Sequence, residues 1–454
     1  VHGKTTQYDF TEGSIMKKMI LFSSPIFLTN MLQSSYQIID SLWVGNLLGA
    51  NALGAIAISG TVVFTILSFI IGLNTAALTV LSQQKGADDP EGLKDSLNAF
   101  VVVLGSLTIA LGLTGFFLSG TILRWMGTPG DILPLATTYL QINFIGIVFL
   151  FGYNFIGTVL RALGDSKTPV RFVLVAVILN TVLTPVFIHF LGLGIAGAAY
   201  STILSQGTAF FYGLLFSIWK AGVPFSRPRF PEMKFLKMIF KLGLPSGMSM
   251  MVISGGVLAI MTVVTRFGED VVAGFGAAQR LDMLIMLPAF TLGAAVNSMA
   301  GQNIGARLWE RVSDITKSGM VLIVIVSTSI GALVFLNAEF LVSLFVDDPD
   351  TIAFGSYYVK TIAFFYPFLG INFVLNGIVR AAGAMFQVFV LNTISFWILR
   401  YPLTFYFASQ YGENGIPIGM AASFVISSLI AVGYYRFGRW HEIKILEEEE
   451  KANQ

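Results

Sequence analysis

Asp40 is the residue of this chain with the greatest capacity for chemistry, because it lies inside an apolar run. It closes the stretch Ser34-Ser35-Tyr36-Gln37-Ile38-Ile39-Asp40, and Leu42-Trp43-Val44 carry the apolar character past it. A carboxylate at the centre of a hydrocarbon layer costs roughly 2.5–3.5 kcal/mol even on insertion scales, so its presence needs a reason. Two placements are open. Inside a membrane span, Asp40 could load and unload a proton; at a helix end near Gly45-Asn46 it would merely cap. Desolvation favours the protonated form of a carboxylate and hydrogen bonds to the ionised form oppose it, so a group balanced between the two titrates at ordinary pH.

Polar residues in nearby apolar stretches could supply those hydrogen bonds: Tyr139 and Asn143, Asn154, then Asn180, Thr181 and Thr184, then Ser201, Thr202 and Gln206. Asn180 and Thr184 are one helical turn apart and share a face. Each of these residues alone reads as a packing hydrogen bond; together with one acid they make a protonation pocket. Tyr36, Phe151 and Phe155 are aromatic candidates for contact with a bound molecule, although packing alone explains a pair such as Phe151 and Phe155 more often than stacking on a ligand does.

The second half of the chain has its own charges in an apolar stretch, Arg280 and Asp282. Two residues apart, they point to different faces of a helix. Arg280 either meets a carboxylate across a cavity or reaches toward an interface on its long apolar stem. Met248, Met250, Met251, Met261, Met283 and Met286 cluster in the apolar stretches 236–264 and 272–303. Thioethers suit a pocket that accepts many shapes, and they also serve as lobe filling or lipid-facing surface. The candidates for substrate contact are Tyr36, Phe151, Phe155, Met261, Arg280, Asp282, Met283 and Met286.

Composition excludes several classes. Of 454 residues, 55% are hydrophobic and only 11% charged, with a mean hydropathy of +0.77, too little charge for a soluble domain. Cysteine is absent, and the three histidines, His2, His189 and His441, are scattered, so no metal ligand set is expected. No Gly-rich loop ending in Lys-Ser/Thr offers a nucleotide site, and no His, Cys or paired acids within the apolar stretches compose a catalytic set. No cofactor and no enzymatic activity are expected. The formal charge of +2, sorted by loop rather than gathered in a patch, gives no footprint for nucleic acid.

The elements that must position these residues are membrane helices. Runs of about 20 apolar residues cross a hydrocarbon core, and such runs cover approximately 17–44, 52–82, 95–119, 131–157, 167–190, 195–219, 236–264, 272–303, 315–336, 353–378, 385–409 and 415–437. The expected fold is an all-α integral membrane protein with twelve transmembrane helices in two pseudo-symmetric six-helix lobes. The duplication is visible in the letters. Asn154-Phe155 with Arg161-Ala162-Leu163-Gly164 returns as Asn372-Phe373 with Arg380-Ala381-Ala382-Gly383, Pro25 as Pro245, and Gln83 with Gly86 as Gln302 with Gly305. Six spans per half give both repeats one orientation, which predicts an axis along the membrane normal and a substrate cavity between lobes.

Boundaries follow from this: an N-terminal tail 1–16, a first lobe 17–220, a linker 221–235 rich in Pro and Arg, a second lobe 236–437 and a tail 438–454 ending in the acidic run Glu447 to Glu450. Of the 27 Lys plus Arg, 22 fall in the tails and in the loops after even-numbered spans. The facing side is left with Arg124, Arg266, Lys360 and Arg400, and Arg280 lies within a span. That asymmetry predicts cytoplasmic termini and a multi-pass protein of the cell (inner) membrane. Asp347, Asp348 and Asp350 then fall in an external loop.

Twelve spans in two lobes, Asp40 with Pro25 upstream of it, and Asn180 in the fifth span resemble the multidrug and toxic compound extrusion (MATE) family, most closely its DNA-damage-inducible DinF branch in prokaryotes. The resemblance covers nearly the whole chain after the leading tail. It implies export of lipophilic, often cationic, drugs against an inward proton or sodium ion, by a protein expected to act as a monomer. Carried over by position, Asp40 would bind the proton, Tyr139, Asn154, Asn180 and Thr202 would be its polar neighbours, and Pro25 would be the point where helix 1 bends. Two departures matter. Some relatives have a second carboxylate where this chain has Thr184, and sodium-coupled relatives carry acids in spans 7 and 10, where 242–264 and 361–378 have none. Proton coupling is the expectation, with sodium coupling as the alternative. A lipid-linked oligosaccharide flippase shares the architecture, but a diphosphate calls for a strongly cationic cavity, and Arg280 is the one clear candidate.

Overall fold

The computed structural model describes residues 7–445, which form sixteen α-helices with short 3-10 and π-helical pieces and, among the described residues, no strand. The acidic run Glu447 to Glu450 and the residues before Gln7, His2 among them, lie outside the described residues. Large apolar side chains stay uncovered along the helices, such as Phe117 at 77% and Leu258 at 67% exposure. Such surface is stable only against lipid.

The chain divides into two compact units. The first contains the described residues up to Asp9 and Leu21–Gly243; the second contains Phe10–Ile20 and the chain from Leu244 onward. The division falls inside two helices, α1 (Ile15–Leu48) and α8 (Met233–Val264), rather than in the linker. The cause is local packing. Met19 is fully buried and lies against Gly319 in the second unit, while Gly243 lies against Leu73 in the first. The linker belongs to the first unit, where Asn98 clasps the Arg229 backbone: its Nδ2 donates to the carbonyl at 3.0 Å and its Oδ1 accepts from the amide at 3.1 Å. Arg229 also pairs with Asp95.

In the first unit, α2 (Ala50–Gly86) packs on α3 (Pro90–Trp125), α4 (Leu133–Ile145) and α5 (Ile147–Ala162), and α7 (Ile195–Trp219) packs on α5 and on α6 (Lys167–Pro185). In the second, α9 (Glu269–Gly305) packs on α10 (Trp309–Leu336), α11 (Ala338–Ser343), α12 (Pro349–Ala363) and α13 (Tyr366–Ala381). There α14 (Met385–Thr393) and α15 (Tyr401–Tyr411) lead to α16 (Gly415–Phe437). The order of packing repeats from one unit to the other, as the duplicated sequence requires.

Among the described residues, seven helices are long and apolar enough to cross a membrane, nine when each bent pair counts as one crossing. The stretch Met385–Phe437 counts there as one, but it turns back at Gly412 (φ +68°), which makes it two crossings. The helices α1 and α7 complete the twelve, their apolarity diluted by the polar faces that build the site. Two spans read as straight in the sequence are broken. α4 and α5 meet at 49° beside Gly146, and α12 and α13 meet at 55° before Pro367. At Gly146 a Cβ would stand 2.3 Å from Ile203, so only glycine admits α7 this closely.

Two further irregularities match between repeats. A π-helical segment Val186–Phe190 follows Pro185, and another, Ile394–Arg400, precedes Pro402. Proline cannot donate to the ladder, and the local widening takes up the freed carbonyls.

Candidate functional site

In the first unit, α1 presents Gln33, Tyr36 and Asp40 at spacings of three and four, which puts them on one face. α1 runs unbroken through Pro25 and on to Leu48, so Asp40 is not a helix cap; it is 6% exposed. At Pro25 the helix lacks one backbone donor, and Thr29 Oγ1 donates to the Pro25 carbonyl at 3.0 Å. Such back-bonding from position i+4 weakens and bends a helix.

The Asp40 carboxylate is held from α6. Its Oδ1 accepts from Thr184 Oγ1 at 3.3 Å and from Asn180 Nδ2 at 3.5 Å. Behind them, Ser201 of α7 donates to Asn180 Oδ1 at 3.0 Å, and the Thr184 and Ser201 hydroxyls lie 2.7 Å apart with either oxygen able to donate. Thr184 is also within 3.2 Å of Asn180 Oδ1. All four side chains are buried. The count of protons restricts them: Asn180 Nδ2 can only donate, whereas Thr184 owns one hydrogen and two lone pairs. With Asp40 ionised, Thr184 donates to it and Ser201 donates toward Asn180 or Thr184. With Asp40 protonated, the acid can donate to Thr184, and Thr184 passes its hydrogen to Asn180 Oδ1 or Ser201. The same heavy atoms satisfy both charge states.

The other residues singled out in the sequence surround this core to different degrees. Tyr139 is buried and lies in the electrostatic field of Asp40. Tyr36 donates to the Thr202 carbonyl at 3.3 Å, while the Thr202 hydroxyl turns to its own helix, donating to Ala198 at 3.1 Å. Thr202 therefore meets Tyr36 through its backbone carbonyl, with its side chain also interacting with the phenol. Asn154 meets Gln33 instead of Asp40, its Oδ1 accepting from Gln33 Nε2 at 3.3 Å. Phe151 and Phe155 stack on each other, centroids 5.5 Å apart, and are buried in the unit, the packing reading of that pair. Sequence reasoning passed over Gln33, one turn before Tyr36 on the same face, and ranked Ser201 below Thr202.

The second-half candidates lie in the other unit. Met261 and Met286 pack against its apolar core, and Met283 is exposed. Asp282 accepts from Tyr366 at 2.6 Å and from Tyr358 at 3.3 Å. Arg280 is exposed and stands over the Phe345 ring at 5.9 Å, the interface-reaching placement of the two. Arg400 requires a correction. Counted with the external loops, it is instead buried at 6% exposure, inside the π segment, with its guanidinium over Phe396 at 4.0 Å and Phe424 at 4.8 Å. Apolar residues flank it on both sides, so the helix carries it inward. The carboxylates of Asp270, Asp348 and Asp350 come within 4.8 Å of one another, but all three are exposed and Asp348 caps α12.

A twelve-crossing bundle built from two repeats, with a buried and neutrally hydrogen-bonded carboxylate, is the frame of a secondary transporter. The MatE family model matches the chain twice, over residues 25–186 and 245–406. This chain belongs to the MATE family, whose members are transporters and not enzymes. It is 58% identical to the probable multidrug resistance protein YpnP of Bacillus subtilis, over 97% of this chain and 99% of that one. It is 29% identical to the probable multidrug resistance protein YoeA of the same organism, over 94% and 95%. The multidrug export protein MepA of Staphylococcus aureus is 24% identical over 90% and 91%. Among solved structures, a MATE protein in its bent conformation superposes with a TM-score of 0.89 at 23% identity, covering 96% of this chain and 97% of that one. An outward-facing multidrug resistance MATE transporter does so with a TM-score of 0.89 at 23% identity, covering 96% and 98%. The fold is that of these transporters.

Proposed function

We propose that this chain exports lipophilic, mainly cationic compounds by alternating access, each exported molecule exchanged for an inward proton carried by Asp40. Export of drugs is supported by the multidrug names of relatives that match it nearly end to end. The observation that carries the proton assignment is that Asp40 is buried among neutral donors, Asn180 and Thr184, with Ser201 behind them. No cation among the described residues acts on it. Its ionised form therefore presents a net negative charge, the feature that attracts an organic cation, and protonation removes that attraction.

The hydroxyls of Thr184 and Ser201 reverse direction as the proton arrives, and α1, weakened at Pro25, is the element that responds. Proton and drug exclude each other, and each tenfold of mutual exclusion is about 1.4 kcal/mol of coupling. Within the family we place the chain on the DinF branch, on Asp40 with Asn180. It works as a monomer in the cytoplasmic membrane with both termini inside, supported by the loop asymmetry of Lys and Arg.

The test is a proteoliposome assay in which a proton gradient or a sodium gradient is imposed and movement of an ethidium-like dye is followed. Proton-driven transport in the wild type, lost in a folded Asp40→Asn variant, is the expected result. Full activity in Asp40→Asn overturns the assignment, and dye movement driven only by sodium moves the chain to the sodium-coupled alternative.

A further inference from the structure

Phe10 is 1% exposed although it stands ahead of the first helix, where a lead-in segment is ordinarily open to solvent. Its seat belongs to the second unit. The Phe10 amide donates to Gln302 Oε1 at 3.2 Å, and its carbonyl accepts from Asn303 Nδ2 and from Arg311 Nη2, each at 2.9 Å. Arg311 also donates from Nε to Asn303 Oδ1 at 3.1 Å and from Nη1 to the Gly13 carbonyl at 3.3 Å. Gln302 and Asn303 are buried at the end of α9, and Arg311 lies in the first turn of α10. Gly13 then turns the chain at φ +76°, and Ser14 Oγ accepts from the Lys17 amide at 3.4 Å where α1 begins.

The repeat shows that this seat is particular to α1. Phe10 and Glu12 stand fifteen and thirteen residues before Pro25, and Phe230 and Glu232 stand at the same distances before Pro245. Phe230 is nonetheless 85% exposed, its segment being held through the Arg229 backbone. The duplicated letters do not bury the ring; the polar cradle on α9 and α10 does.

Membership changes partway along α1. Phe10–Ile20 belong to the second unit and Leu21 onward, Asp40 included, to the first, and the change comes about one helical turn before Pro25. One helix is thus fastened at its start by Arg311 and its neighbours, and at Asp40 by Asn180 and Thr184. Any displacement between the two fastenings must be absorbed within α1. The seat combines a buried ring with hydrogen bonds from a guanidinium, which are the stronger kind, whereas the helix at Pro25 lacks a ladder donor. The proline yields first.

We propose that Arg311 is a positioning residue for the exchange: with Gln302 and Asn303 it fixes Phe10 and the start of α1 to the second unit throughout the cycle, so that α1 bends at Pro25 and the movement is delivered to Asp40. The proposal rests on the reading of Asp40 as the proton carrier and names the fixed end of the helix that bears it.

The test is hydrogen–deuterium exchange of the full-length protein in lipid, at high and low pH and with and without an ethidium-like dye, read beside dye binding and proton-driven dye transport. In the wild type, exchange across residues 10–20 should be slow and the same in every condition. Exposure of that segment by acid or by dye would show that the seat opens during the cycle, and overturns the proposal. Arg311→Ala should speed exchange across 10–20 and lower transport about tenfold or more, while dye affinity and its pH dependence stay within about twofold of wild type, because the partners of Asp40 on α6 are untouched. Wild-type transport in Arg311→Ala overturns the proposal, and so does a parallel loss of dye binding, the mark of a merely structural role. If Arg311→Ala does not fold, Phe10→Ala, which empties the seat of its ring, is read in the same way. Full transport in Asp40→Asn, with 10–20 protected in the wild type and Arg311→Ala impaired, counts against the Asp40 reading alone, so the two failures are distinguishable.

Discussion

The hydroxyl oxygens of Thr184 and Ser201 lie 2.7 Å apart, and either can be the donor. Because Thr184 has a single hydrogen, its bond to Asp40 and its bonds to Ser201 and Asn180 cannot all be donated at once. The direction of the chain thus records the charge on Asp40. Thr184→Val keeps the shape and removes the switchable group. A hydrogen bond to a charged group contributes about 1.5–3 kcal/mol, so proton-driven dye transport should fall about tenfold or more in Thr184→Val. It should be largely retained in Thr184→Ser, with both variants folded by size-exclusion chromatography. Equal transport by Thr184→Val and wild type would remove Thr184 from the coupling.

Asn98 holds the linker by both sides of the Arg229 peptide, at 3.0 and 3.1 Å. In Asn98→Ala both bonds go, and the exposed Asp95–Arg229 pair that remains is worth little. Limited trypsin digestion should then cut after Arg229 several times faster than in wild type, while dye transport changes much less; Arg227 is protected by the Pro228 that follows it. Unchanged cleavage would mean the linker is anchored elsewhere.

Gly164 occupies the left-handed region at φ +92°, and a Cβ there would stand 2.2 Å from the Tyr8 carbonyl oxygen. Its own carbonyl accepts from the Tyr8 amide at 2.9 Å. An L side chain in this backbone region costs about 1–2 kcal/mol before any clash is counted. Gly164→Ala should lower the melting temperature and open the segment around Tyr8 to proteolysis. A melting curve that matches wild type would show that the segment can move aside freely.

Asp348 caps α12, accepting from the Thr351 amide and hydroxyl, each at 3.0 Å. These bonds, the amide first, hold its carboxyl below the ordinary Asp value. A depressed folded value means stability that is present above about pH 3.9, the unfolded Asp value, and lost as pH falls through the folded one. Asp348→Ala should melt lower than wild type near neutrality, and the gap should close on acidification below the ordinary Asp range. A gap independent of pH would show that the cap does not act through charge.

Asp40 was legible because a charge inside an apolar run stands out without any knowledge of packing. Its partners were legible only as a pool: Asn180 and Thr184 by their shared helical face, Ser201 and Thr202 as neighbours whose rotamers decide which of them turns inward. Rotamer choice depends on what lies opposite, and no spacing reveals that. The break at Gly146 was hidden for a similar reason. Glycines are frequent in these spans, and only the nearness of Ile203 singles this one out. Arg400 was misplaced although the signal was present, since Phe396, Trp397, Ile398 and Leu399 precede it and Tyr401 and Pro402 follow. A basic residue deep in such a run needs aromatic faces or an acid, and the second unit provides both.

The units divide within α1 and α8 and not at the linker, so severing the gene between the two repeats would yield two polypeptides that each lack helical turns belonging to the body they would have to form. Neither fragment carries the whole of one unit. Expressed alone, each should be degraded; synthesised together, they can complement.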